Sequence, residues 1–338
     1  METKRLMSID ISRGICIILV VIGHYIPENS PSWYLTIHDV IYTFHMPLFM
    51  FLSGYVYWAT RKPVRYKDFI WKKFQRLMIP YFFVSIIVIS LKLLTKSGLS
   101  IENPVEISSF YKMFYLPTAG FFLWFLLTLF LIFLIIPFFN SRKRLFIILI
   151  LSVVLYFLPI SFPQQFCLAQ FKVNLLYFVL GCTVFECINI RRVLDNVSVL
   201  ILVFVFVALY ILNQHVDLLY VNKTLSILIA FVGIVFISNL SKQIELKTIY
   251  QKKIFITLAV YSYTIYLFHT TFQGFVKAII VRFHPYFMNF NEEAVFIFNA
   301  IIVVLAGILF PIFMHKIIVR YSRVFSYLIG AKYEAHTN

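Results

Sequence analysis

Asp10-Ile-Ser-Arg13-Gly14-Ile15-Cys16-Ile-Ile-Leu-Val-Val21-Ile-Gly23-His24 sets an arginine and a histidine eleven residues apart in a run otherwise apolar enough for a membrane. On a helix, eleven residues advance three turns plus about 20°, so Arg13 and His24 share a face about 16 Å apart, with Asp10 within about 60° of both. Ionisable side chains in hydrocarbon are costly and normally face a polar cavity or a partner. The stretch therefore predicts a membrane helix lining a polar path, with a titratable group at each end.

The rest of the 338 residues fits that reading: 61% are hydrophobic and 13% charged, which excludes an ordinary water-soluble domain. Apolar segments recur down the whole chain, and the first lacks a small-residue cleavage site, so it is not read as a signal peptide. About ten candidate spans follow, near 9–26, 40–59, 77–95, 121–139, 145–160, 173–187, 197–212, 224–240, 254–273 and 295–315. The expected fold is an all-α polytopic membrane protein, because helices satisfy their own backbone hydrogen bonds in lipid. Placing the N-terminus inside puts 23 of the 30 basic residues on inner segments: Lys4, Arg5 and Arg13; the run Arg61–Arg76; Arg142–Arg144; Arg191 and Arg192; Lys242–Lys253; and Lys316–Lys332. That bias follows the positive-inside rule and predicts that both ends are cytoplasmic. The net charge of +16 then reflects loops facing anionic lipid, with no nucleic-acid partner implied. Cys16, Cys167, Cys182 and Cys187 have no ligand spacing and are read as small buried hydrophobes, not disulfides or a metal site. The outer stretches 96–120 and 274–294, which contain Pro104, Pro117 and Pro285, are expected to be loops shaping an opening.

On this topology four of the eight histidines fall at similar depth: His24, His45, His269 and, in the first outer loop beside Asp39, His38. His24 reads as a general base, since neutral imidazole accepts a proton near neutral pH, or as a structural hydrogen-bonding group. His45, before Pro47, is either a substrate contact or part of a proline-bent helix. Ser262 lies seven residues before His269 on nearly the same face; the two line one cavity or bond across packed helices. Leu52-Ser53-Gly54-Tyr55 reads as close helix packing, with a nucleophilic Ser53 the lesser alternative. Arg13 either snorkels to headgroups or, held by Asp10 at i−3, donates to phosphate or carbonyl oxygens. Lys73 and Arg76, three apart, and Lys72 and Arg76, four apart, form faces suited to phosphates or are ordinary inner charges. Phe122-Leu-Trp124-Phe125 reads as an interfacial aromatic belt, with a binding box the lesser alternative. The two-ended arrangement suits a long donor held at a basic inner end and a nucleophile activated at the outer end.

At these residues the chain resembles the acyltransferase-3 family of integral membrane acyltransferases. The resemblance rests on Asp10-x-x-Arg13-Gly14 with Gly23-His24 (Arg-x10-His), on Phe44-His45-Met46-Pro47 through Gly54-Tyr55, on Lys73-x-x-Arg76 to Pro80-Tyr81, and on Ser262 to His269. It extends over the whole chain, 1–338, as one membrane-embedded domain with short cytoplasmic tails. The Phe-His-Met-Pro form is similar to the branch holding fucose acetylases, enterobacterial-common-antigen acetylases and the intercellular-adhesin modification protein. The resemblance implies an O-acetyltransferase of the bacterial cytoplasmic membrane that moves a short acyl group from acetyl-CoA, the donor substrate rather than a permanent cofactor, to a sugar hydroxyl. It implies His24 and Arg13 as catalytic, Lys73, Arg76 and Arg13 as donor-binding, and Asp10, His45, Ser262 and His269 as supporting or acceptor-side residues. Family members often carry arginine where Lys73 stands; lysine keeps the charge and loses the bidentate geometry. Expected partners are a glycan or lipid-linked sugar, membrane lipids and glycan-synthesis proteins. Some larger relatives add an extracytoplasmic domain that passes the acyl group on; this chain is expected to act directly or through a separate protein. The rival reading is an exporter or flippase of such a glycan, which would not consume acyl-CoA.

Overall fold

Leucine, isoleucine, valine and phenylalanine runs this long leave the backbone no partner but itself in an apolar surrounding, and every regular element among the described residues is helical. The computed structural model describes residues 7–95, 104–283 and 291–331. In chain order the helices are α1 (Met7–Gly23), α2 (Ser32–Thr60), α3 (Tyr66–Thr95), the single turn α4 (Ser109–Lys112), α5 (Trp124–Ile135), α6 (Arg142–Phe157), α7 (Leu168–Glu186), α8 (Ile188–Asp195), α9 (Val199–Gln214), α10 (Leu219–Glu245), α11 (Ile249–Phe283), α12 (Glu292–Met314) and α13 (Arg323–Leu328).

Each predicted span coincides with one of the longer helices. Seven helical segments are long and apolar enough to cross a membrane: Ser32–Thr60, Tyr66–Thr95, Phe121–Phe139, Gln165–Glu186, Leu219–Glu245, Lys252–Arg282 and Glu292–Val319. Counting α8 and α9, which meet at 91°, as one bent span makes eight. The difference from ten lies in length, since α1 has 17 residues and α6 and α9 have 16 each. The structure also moves several boundaries. α2 starts at Ser32, so His38 stands on a helix and not in a loop. α11 runs unbroken to Phe283, so 274–283 is helical where a loop was expected. Lys4, Arg5, Pro285 and Lys332 lie outside the described residues.

Two close helix contacts organise the core. A Cβ on Gly54 would stand 1.9 Å from the Phe178 carbonyl oxygen, and one on Gly181 would stand 2.0 Å from that of Phe51. Glycines facing across this contact let α2 and α7 meet backbone to backbone, which is the packing read from Leu52–Tyr55. Ser53 meanwhile returns its hydroxyl to the Phe49 carbonyl at 2.8 Å, an ordinary i−4 bond. At the second contact Gly14 admits Phe255, whose carbonyl oxygen would lie 2.2 Å from a Cβ there, so α1 and α11 touch along the face that carries Arg13. α1 also packs on α2, α10 and α12, which makes it an inner helix of the bundle. All four cysteines are free and buried, as read from the sequence.

Candidate active site

α1 and α11 run side by side in the same direction and make two polar rungs. At the first, the Arg13 guanidinium donates to Ser262 Oγ at 3.2 Å and lies 3.7 Å from the Asp10 carboxylate one turn earlier. Ser262 passes its own proton to the Ala259 carbonyl at 2.8 Å, which leaves its oxygen as the acceptor for Arg13. The expected Asp10–Arg13 pair is thus present. Ser262, however, meets Arg13 and not His269, because the long arginine side chain climbs along α1 to it.

The second rung stands at the C-terminal end of α1. The helix ends at Gly23, and His24 occupies the following turn with its backbone N–H still bonded to the Val20 carbonyl at 3.1 Å. Its ring centroid is 4.9 Å from that of His269. Tyr42 and Phe122 approach the same ring edge-on at 6.5 and 6.3 Å. Tyr42 continues the group, with its ring 4.0 Å from His38 and 4.7 Å from His45. The four histidines that sequence placed at one depth therefore form a chain of ring contacts, His269–His24–Tyr42–His38/His45.

Two of these rings have a settled tautomer. A carbonyl oxygen only accepts, so the 2.8 Å bond from His45 Nδ1 to the Ile41 carbonyl puts the proton on Nδ1. His269 Nδ1 is tied in the same way to the Ile265 and Tyr266 carbonyls at 3.1 and 2.8 Å. In the neutral rings Nε2 is then the lone-pair nitrogen, and in His269 it is buried with no hydrogen-bond partner among the described residues.

Sequence reading missed three members of the site. Tyr42 lies four residues after His38 and three before His45, a helical stripe that the loop assignment of His38 concealed. Gln273, buried one turn beyond His269 on the same face, donates from Nε2 to the Val21 carbonyl at 2.8 Å. That carbonyl is an orphan of the α1 terminus, since Tyr25 N–H turns to Ile22 instead, so Gln273 ties down the end of the helix that presents His24. Phe122 was assigned to an interfacial belt. It is buried against His24 and His269, and its carbonyl takes the Tyr266 hydroxyl at 2.6 Å; Phe121 next to it is the exposed ring.

Lys73 and Arg76 sit on α3, which meets α11 below this group. Lys73 Nζ lies over the Phe133 ring at 3.9 Å, while the Arg76 side chain is exposed. The Arg76 carbonyl accepts from Tyr263, the neighbour of Ser262, at 2.5 Å. The basic pair and the Arg13–Ser262 rung are thus joined through adjacent residues of α11.

Residues 7–316, nearly the whole chain, match the acyltransferase domain that defines the acyltransferase-3 family. The chain belongs to that family. Among curated relatives, this acyltransferase-3 protein is 34% identical over 95 residues to nodulation protein NolL of Sinorhizobium fredii, covering 27% of its own length and 26% of that protein. It is 31% identical over 94 residues to nodulation protein NolL of Mesorhizobium japonicum, covering 26% and 25%. The chain thus spans about a quarter of the length of the curated relatives it matches. No solved structure matches it. Family membership and the apolar helices together fit a polytopic membrane protein that carries an acyltransferase-3 domain.

Proposed function

We propose that this protein transfers an acetyl or other short acyl group from cytoplasmic acyl-CoA to a hydroxyl of a surface-glycan or lipid-linked sugar. It would do so within the bacterial cytoplasmic membrane, with ten spans and both termini inside. The observation that carries the reading is the pair of rungs between α1 and α11: a guanidinium bonded to Ser262, and an imidazole packed against His269, seven residues or about 10 Å of helix rise further along α11.

A donor with a charged head and a long arm suits that separation. Its phosphates would meet Arg76 first, since that side chain is exposed, then Lys73 and Arg13, while the arm carries the thioester toward His24. His24 takes the proton of the sugar hydroxyl as the oxygen attacks the thioester carbonyl; the carbon–sulfur bond then breaks, and the thiolate leaves with the proton from the imidazolium. Asp10 and Ser262 hold the Arg13 guanidinium, and His45 and His269 border the acceptor side.

The test uses sealed vesicles holding the purified protein, acetyl-CoA labelled in its acyl group, and lipid-linked glycans. Label should appear on glycan with the wild type and be lost by a factor of about 10² or more in folded His24→Ala. Undiminished transfer by His24→Ala would remove the base assignment, and glycan crossing the membrane without acetyl-CoA would favour export.

A further inference from the structure

His269 is built to hold a partner's proton. Its ring is fully buried, and Nδ1 spends its hydrogen on two carbonyls of its own helix, which turns Nε2 away from α11 as a lone-pair nitrogen. Buried acceptors are nearly always satisfied, so an unpartnered one needs a reason. Three rings lie around it: His24, Phe122 and Tyr266. Phe122 has no proton to give, and the Tyr266 hydroxyl is already committed to the Phe122 carbonyl. His24 is the ring with an N–H to offer, and a centroid separation of 4.9 Å brings it within a small ring rotation of bonding.

We propose that His269 is a positioning residue that fixes the tautomer of His24: its Nε2 accepts the N–H of one His24 nitrogen, leaving the other as the lone pair that takes the acceptor's proton. The inference rests on His24 as base. No proton moves onto His269. His24 gains a proton from the sugar hydroxyl on its free nitrogen, becomes an imidazolium steadied by the bond to Nε2, and returns that proton to the departing thiolate. A neutral imidazole here does what a carboxylate does elsewhere, without burying a second charge beside the rings of His24, Phe122 and Tyr266. Gln273 acts on the same end of α1 through the backbone, so α11 holds both the ring and the peptide that carries it.

Two nearly isosteric variants test this. Gln at 269 places an acceptor where Nε2 stands, whereas Asn reaches only as far as Nδ1. His269→Gln should keep kcat within about 5-fold of wild type, and His269→Asn should lower it roughly 10- to 100-fold with KM for acetyl-CoA nearly unchanged. Nitrogen-15 spectra of histidine-labelled protein in lipid, with His24 assigned by comparison with His24→Gln, give a readout independent of turnover. The expected result is one dominant His24 tautomer in wild type and His269→Gln, and a mixture in His269→Asn. An unchanged His24 spectrum in folded His269→Asn would overturn the proposal. Retained activity in His24→Ala would instead overturn the base assignment while the tautomer result stood by itself.

Discussion

Arg13 illustrates how little freedom a charged side chain has at this position. Asp10 compensates its charge, and Ser262 gives it a fixed direction. Ser262→Ala removes that direction and keeps the charge, so transfer should fall by about 5- to 10-fold in kcat/KM, the worth of one hydrogen bond of about 1 kcal/mol. Arg13→Lys should fall further, because a point charge cannot meet two partners in one plane. Initial rates against acetyl-CoA concentration check both; equal rates in Ser262→Ala would mean that Arg13 needs no orientation. Arg76 and Lys73 differ in the same terms. Lys73 rests on an aromatic face, worth about 0.5–2 kcal/mol, and must leave it to reach a phosphate. Arg76→Ala is therefore expected to raise KM for acetyl-CoA more than Lys73→Ala does, with kcat little changed in either, as isotherms of coenzyme A binding would show.

Between helices, the controlling quantity is how closely backbones approach. Gly54→Ala would drive a methyl to 1.9 Å from a carbonyl oxygen of α7, and neither helix can yield without opening the core. Gly274, on α11, meets nothing within 4 Å. We expect Gly54→Ala to destabilise the protein by about 3 kcal/mol or more, and Gly274→Ala to be neutral or stabilising by up to about 1 kcal/mol through helix propensity. Thermal unfolding in one detergent compares them, and equal midpoints would contradict the close approach of α2 and α7. Gln273→Leu belongs to the same scale, since it strips the donor from a buried terminal carbonyl of α1. A loss of about 1–3 kcal/mol is expected, together with lower kcat, because His24 follows that terminus directly. The tie was legible in part: a glutamine four residues beyond a histidine in an apolar helix shares its face. Its partner on α1 was not, because sequence does not say which helices touch.

Across the whole molecule, the distribution of basic residues predicts one sidedness, with both termini inside. Exposed positions in two connections test it: Asp217 between α9 and α10 should face outside, and Lys143 at the start of α6 should face the cytoplasm. The four native cysteines are buried, so background labelling is low. Asp217→Cys should react with a membrane-impermeant maleimide in intact cells, and Lys143→Cys only after permeabilisation. The reverse pattern would invert the topology, and the donor with it. The same sidedness predicts that acetyl-CoA supports transfer only from the face bearing Arg76 and Lys73.

The helical membrane class, the position of each long apolar segment, the Asp10–Arg13 pair and the common depth of the histidines followed from the sequence by itself. Each depends on one helix at a time, through hydropathy, a 3.6-residue period and the charge of flanking loops. The tertiary structure decided which polar groups meet. It turned Ser262 to Arg13 and His269 to His24, joined the histidines through Tyr42, brought Phe122 from an assumed belt into the site and set Gln273 against the end of α1. Those pairings depend on the rotation and approach of neighbouring helices. Glycine faces such as Gly14 against Phe255 set them, and in a chain this uniformly apolar the hydrophobic pattern marks no preferred neighbour.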